Sequence, residues 1–86
     1  MADIRIQVRY FASVREALGE GQVVQVPAGI TVAALRQHLA MLSAAHAAAL
    51  GAGRTLRAAV DQSMADAQQV LRADAEVAFF PPVTGG

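Results

Sequence analysis

Apolar Ile4, Ile6, Val8 and Tyr10 alternate with polar Arg5, Gln7 and Arg9, a period of two that predicts a half-buried strand. The period then changes. Val14 and Leu18 lie four residues apart and Gly19 follows, which predicts a short helix over residues 12–18 with the glycine as its stop. Residues 22–26 return to valine-rich alternation and predict a second strand, paired hairpin-like with the first. Pro27-Ala28-Gly29 then turns the chain. Thr31 is placed to cap the main helix, expected over residues 32–42. Its stripe of Val32, Leu35, Leu39 and Leu42 recurs at helical spacing and should cover the sheet.

Ser43 can cap a further short helix over residues 44–50, closed by Gly51 and Gly53. Leu56, Ala58 and Val60 alternate with Arg57 and Asp61, a third strand. Val70-Leu71 reads as a brief edge strand, and residues 77–81 as the last. The order β, short α, β, long α, β, short β, β predicts an α+β roll, a mixed sheet of four to five strands packed on one principal helix.

Eighty-six residues make one domain. The longest apolar run is only a few residues, so no membrane span is expected. The start, Met1-Ala2-Asp3-Ile4-Arg5, lacks the basic and apolar regions of a signal peptide, and a cytoplasmic location is expected. Seven basic residues, all arginine and all scattered, balance seven acids. That argues against nucleic acid, which needs a basic stripe. Without cysteine there is no disulfide, thiolate nucleophile or sulfur-ligated metal. Without lysine, no side-chain amine is available for a Schiff base or an isopeptide bond on this chain.

The internal polar groups form no catalytic pattern. His38 and His46 are eight residues apart in helical segments and lack a carboxylate cluster, so they read as solvated or packing residues rather than metal ligands. Ser13, Ser43 and Ser63 read as caps or turn residues, and Glu16, Glu20, Asp61, Asp66, Asp74 and Glu76 as separate surface acids. The tail is different. Pro82-Val83-Thr84-Gly85-Gly86 ends on two residues without side chains, a strip that can enter a channel too narrow for any Cβ. The expectation is a domain over residues 1–81 and a flexible tail over 82–86 that presents the Gly86 carboxylate to another protein's active site. Phe79 and Phe80 must point to opposite faces of the last strand. Glu76 should be wet and shares a face with Phe80, so Phe79 goes to the core. Phe80 then serves as an exposed docking residue beside Pro82 and Val83, or lies under the Phe11 loop. Phe11, Met64, Phe80 and Val83 are the expected partner surface.

The tail from Val77 to Gly86, with its Phe79-Phe80-Pro81-Pro82 core and Gly-Gly end, closely resembles the molybdopterin synthase small-subunit family, which are ubiquitin-like β-grasp sulfur carriers. Tyr10-Phe11-Ala12-Ser13-Val14-Arg15-Glu16 resembles that family's first strand and following helix. The segment from Thr31 to Leu39 resembles its main helix, and Ala58-Ala59-Val60-Asp61-Gln62 its third strand. The chain departs where the family commonly has Asn at Asp61 and a Gly-Asp pair at Asp74-Ala75.

The resemblance implies the following chemistry. An ATP-dependent enzyme adenylates the Gly86 carboxylate, and a sulfur donor system converts it to a thiocarboxylate. Sulfur then passes to cyclic pyranopterin monophosphate in a pocket of the large synthase subunit, within a heterotetramer holding two copies of each subunit. The chain is the sulfur-donating part of an enzyme, with no permanently bound cofactor, no metal, and no nucleic acid or membrane partner. Two other readings remain open at this point: a sulfur carrier for thiazole synthesis, or a protein modifier conjugated through Gly86.

Overall fold

The computed structural model describes residues 2–82; of the expected tail, Val83, Thr84, Gly85 and Gly86 lie outside the described residues. The opening alternation becomes β1 (Asp3–Tyr10), which buries Ile6, Val8 and Tyr10 and exposes Arg5, Gln7 and Arg9. A short helix, α1 (Ala12–Leu18), follows and stops at Gly19, whose φ of 91° suits glycine. The chain returns as β2 (Gly21–Pro27), antiparallel to β1 with Ile6 opposite Val24. Gly21 has to be glycine, because a Cβ there would run into the Val8 carbonyl oxygen.

Thr31 caps α2 (Val32–Ala40), its hydroxyl oxygen accepting the Ala34 N–H at 3.2 Å. Val32, Leu35 and Leu39 form the buried stripe. Leu42 does not extend it, contrary to its spacing. Ser43 must be extended (φ −164°) to cap α3 (Ala44–Leu50), so the chain leaves α2 at Met41 and Leu42 stays exposed. Thereafter come β3 (Arg57–Val60), β4 (Ser63–Ala65) and β5 (Glu76–Phe80).

The sheet order is β2-β1-β5-β3-β4. β1 runs parallel to β5, with Val8 opposite Val77, and every other pair is antiparallel. The helical side of the sheet holds the core, whose largest members include Tyr10, Phe79, Ile6, Leu35 and Leu39. The expected edge strand at Val70-Leu71 is instead one isolated bridge, Thr31 to Val70, and Leu71 drops into the core. The true fourth strand is β4, formed because Asp61 and Gln62 adopt left-handed φ of 49° and 71° and fold β3 back in two residues.

Two polar side chains fix the helices to this frame. The half-buried Arg36 on α2 donates to the carbonyl oxygens of Leu50 at 2.7 Å, Gly51 at 2.8 Å and Arg54 at 2.6 Å. It therefore satisfies the last carbonyl of α3 and shapes the loop behind it. Burial lowers the pKa of its guanidinium from the usual arginine range, yet three carbonyl acceptors favour the charged form. Arg36→Met should lower stability by about 2 kcal/mol or more, since it strands several acceptors of a charged donor. Arg36→Lys should recover little, because a lysine ammonium lacks the guanidinium's rigid fork of donors. Denaturant midpoints of the two variants check this.

His46 on α3 accepts from or donates to the Ser43 hydroxyl at 2.8 Å and reaches Gln22 Oε1 on β2 at 2.9 Å. The same Gln22 oxygen accepts the Tyr10 hydroxyl at 2.8 Å. His46 is thus a tie between α3 and the β1–β2 pair. Tyr10 is 1% exposed, and burial pushes its phenol up to about 12 because a phenolate would be desolvated there. An unfolded tyrosine titrates near ~10. The neutral form is therefore favoured by folding, a contribution complete below about pH 10 and lost as pH rises toward 12. Wild-type stability should fall across that window by up to about 1.4 kcal/mol per pH unit. Tyr10→Phe should flatten the slope in urea titrations at stepped pH.

Candidate docking face and carrier tail

Strand alternation builds the face opposite the helices. On β5, Val77 and Phe79 point into the core, and Glu76, Ala78 and Phe80 point outward and are half-buried. Sheet register sets Phe80 beside Arg57, and Ala78 beside Ala59 and Arg9. Phe11 enters from the end of β1, its N–H donating to the Phe79 carbonyl at 3.2 Å. Ala12 then takes a left-handed φ of 55°, and Phe11 remains 42% exposed. Phe11 and Phe80 consequently line one shallow concavity with Ala59, Ala78 and Pro81. The two alternatives for Phe80 are compatible: it lies beside Phe11 and still contributes to an open apolar surface.

The rim of this concavity is polar. Arg9 Nη1 and Glu76 Oε2 are 3.5 Å apart, an exposed pair that contributes little stability and sets the charge pattern around the apolar floor. Gln62 lies on the same rim. The sequence already puts Glu76 on the Phe80 face, whereas Arg9, Ala59 and Gln62 join it only through the sheet register and the β3–β4 turn. Pro81 and Pro82 lead the chain out of β5, each with its φ fixed by the ring.

Met64 stands opposite Ala59 on the edge strand and is 60% exposed. It lines a groove between α2 and the β3–β4 edge and is not among the residues lining the Phe11–Phe80 concavity. Val83, Thr84, Gly85 and Gly86 lie outside the described residues. The two departures from the family pattern are at turns. Asp61 donates its N–H to the Glu76 carbonyl at 2.8 Å and accepts the Glu76 N–H on Oδ1 at 3.0 Å; it is an exposed acid, paired with no other carboxylate, that ties the turn to the start of β5. Asp74 holds a left-handed φ of 65° and pairs with Arg5 at 3.3 Å, as expected of an Asp where glycine is common. Among the described residues no group of three or more His, Asp or Glu side chains is placed to hold a metal ion.

Comparison with known proteins identifies the family. The model of the ThiS family matches residues 8–86. A molybdopterin synthase sulfur carrier subunit from Escherichia coli (strain K12) is 47% identical over 81 residues, covering 94% of this chain and 99% of the relative. The subunit of the same description from Haemophilus influenzae is 36% identical with the same coverage. Among solved structures, SAMP1 from Haloferax volcanii matches with a TM-score of 0.75 at 25% identity, over 95% of this chain and 99% of that one. The chain therefore belongs to the ThiS family, and its five-stranded mixed sheet beneath one main helix is a ubiquitin-like β-grasp.

Proposed function

We propose that this chain is the sulfur-carrying small subunit of molybdopterin synthase. The observation that carries the reading is that the family match runs through Gly85 and Gly86, together with nearly full-length similarity to sulfur carrier subunits. A carboxylate is a poor acyl donor. An ATP-dependent partner joins the Gly86 carboxylate to AMP, releasing pyrophosphate, and the mixed anhydride then has a good leaving group. A sulfur donor system displaces AMP and leaves a thiocarboxylate, an ionised and soft nucleophile. In the large subunit's pocket that sulfur attacks cyclic pyranopterin monophosphate. Hydrolysis at the Gly86 carbonyl then releases the sulfur to the pterin and restores the carboxylate, and a second charged copy delivers the second sulfur of the dithiolene.

In this reading the domain is a handle. Phe11 and Phe80 dock on the large subunit, Pro81 and Pro82 aim the tail, and glycine alone occupies the narrow approach to the pocket. Met64 and Val83 extend the contact. The activating partner works where ATP is available, so the location we infer is the cytoplasm. Mixed with a molybdopterin synthase large subunit, the chain should co-elute with it as an assembly of two copies of each. Once charged with sulfur, that assembly should convert the pterin precursor to the dithiolene. Failure to co-elute, or co-elution without conversion by the charged protein, contradicts the reading.

A further inference from the structure

Among the described residues the sheet has two open edges, β2 and β4, and they are guarded very differently. β4 is three residues long and lies between Asp61 and Asp66, a short, charged edge of the kind that resists pairing. β2 is seven residues long and carries no charge, and its Val23 is 58% exposed. Hydrogen bonds fix which β2 groups face outward. Tyr10 donates its N–H to the Glu20 carbonyl at 2.9 Å, and Ala28 donates to Ala2 at 3.2 Å. Alternation along an antiparallel ladder then turns Gln22, Val24 and Val26 toward β1, and Gly21, Val23 and Gln25 away from the sheet. The open stretch ends at Pro27, which has no N–H and whose carbonyl already accepts from Ile30 at 3.3 Å.

We propose that β2 is a self-association edge, on which a second copy of this chain lays its own β2 antiparallel about a two-fold axis at Val23. Gly21 and Gln25 lie two residues to either side of that position. With Val23 opposite its counterpart, Gly21 faces Gln25 of the other copy, and every outward N–H and C=O of these residues gains a partner. The facing pairs are Val with Val, Gly with Gln and Gln22 with Val24, so no like charges meet. The whole chain has zero formal net charge, and two copies approach without net repulsion. On the helix side, the bonds from Ser43 through His46 to Gln22 draw the α2–α3 turn toward β2, with exposed Met41 and Leu42 at its start. A foreign strand could use the same backbone groups, but a second copy brings an edge of the same length and register with no charge to oppose it. The association uses an edge, so it leaves the Phe11–Phe80 concavity open.

Sedimentation of the full chain from micromolar to millimolar concentration, with amide hydrogen exchange at each step, tests this. The average mass should rise toward that of a dimer, and the Val23 and Gln25 amides should become protected in parallel. Val23→Lys sets two cations together on the axis and should weaken dimerisation by about tenfold or more, whereas Val70→Lys, at another exposed valine, should not. A chain that stays monomeric throughout overturns the proposal. So does a dimer whose Val23 and Gln25 amides exchange freely, since it would use another surface. Protection of those amides only when an added unrelated strand peptide binds, with no change of mass in the protein alone, assigns the edge to a foreign partner and also overturns it.

Discussion

A chain lacking Gly86 should fold as stably as the full chain and transfer no measurable sulfur. Among the described residues the core ends with Val77 and Phe79 of β5, and the last glycine has no side chain to add to it. The reactive carbon is another matter. Deletion moves the terminal carboxylate back by about 3.5 Å, and a displacement of even an ångström from near-attack geometry can cost a hundredfold. An added residue that is not cleaved should fail equally, because the carbon of Gly86 is then an amide rather than a free acid. Gly85→Leu should leave stability unchanged and block entry to the partner channels, where a bulky Cβ substituent meets walls shaped for glycine. His38→Ala and Asp61→Asn should retain most transfer. His38 has no part in the site, and an asparagine at 61 can still accept the Glu76 N–H. Thermal unfolding and a reconstituted sulfur-transfer assay on the same samples separate loss of the arm from loss of the fold.

Phe80→Ala should weaken large-subunit binding by about 2 kcal/mol or more, roughly 30-fold, and leave the domain folded. The two phenylalanines make an internal control. Phe79 is 1% exposed in the core, whereas its neighbour faces the concavity beside Phe11. Phe79→Ala should therefore cost about 3–5 kcal/mol of stability, a large fraction of what a domain of this size possesses. Phe80→Ala should register in calorimetric titration with the large subunit and barely shift the denaturant midpoint. The reverse assignment, with Phe80→Ala unfolding the domain and binding unchanged per folded molecule, would overturn the docking face.

The legible parts of the sequence were those whose signal is local. Alternation in β1 and β5 placed the outward and inward side chains, including the split between Phe79 and Phe80, and Thr31 and Ser43 proved to be the caps that their positions suggested. β4 escaped because it is three residues long and is created by a two-residue turn at Asp61-Gln62, where neither residue is glycine. Val70-Leu71 looked like a strand because it is apolar, but Leu71 serves as a core plug and Val70 makes a lone bridge. The end of α2 was read two residues late because Leu42 keeps the helical spacing while Ser43 needs extended backbone. Arg36 and His46 gave no local signal at all. Their partners lie 14–18 residues away for Arg36, and 24 residues away for the His46–Gln22 bond, and only the fold brings them together.

The most direct measurement is intact mass after incubation with the activating enzyme, ATP and a sulfur source. Adenylation and sulfur transfer at Gly86 predict that the protein gains one sulfur in place of one oxygen. Fragmentation should place that change on the C-terminal glycine, and it should disappear when the charged protein is given the large subunit and pterin precursor. A protein of unchanged mass in an assay that charges a known sulfur carrier, or a change located on any other residue, would contradict the account.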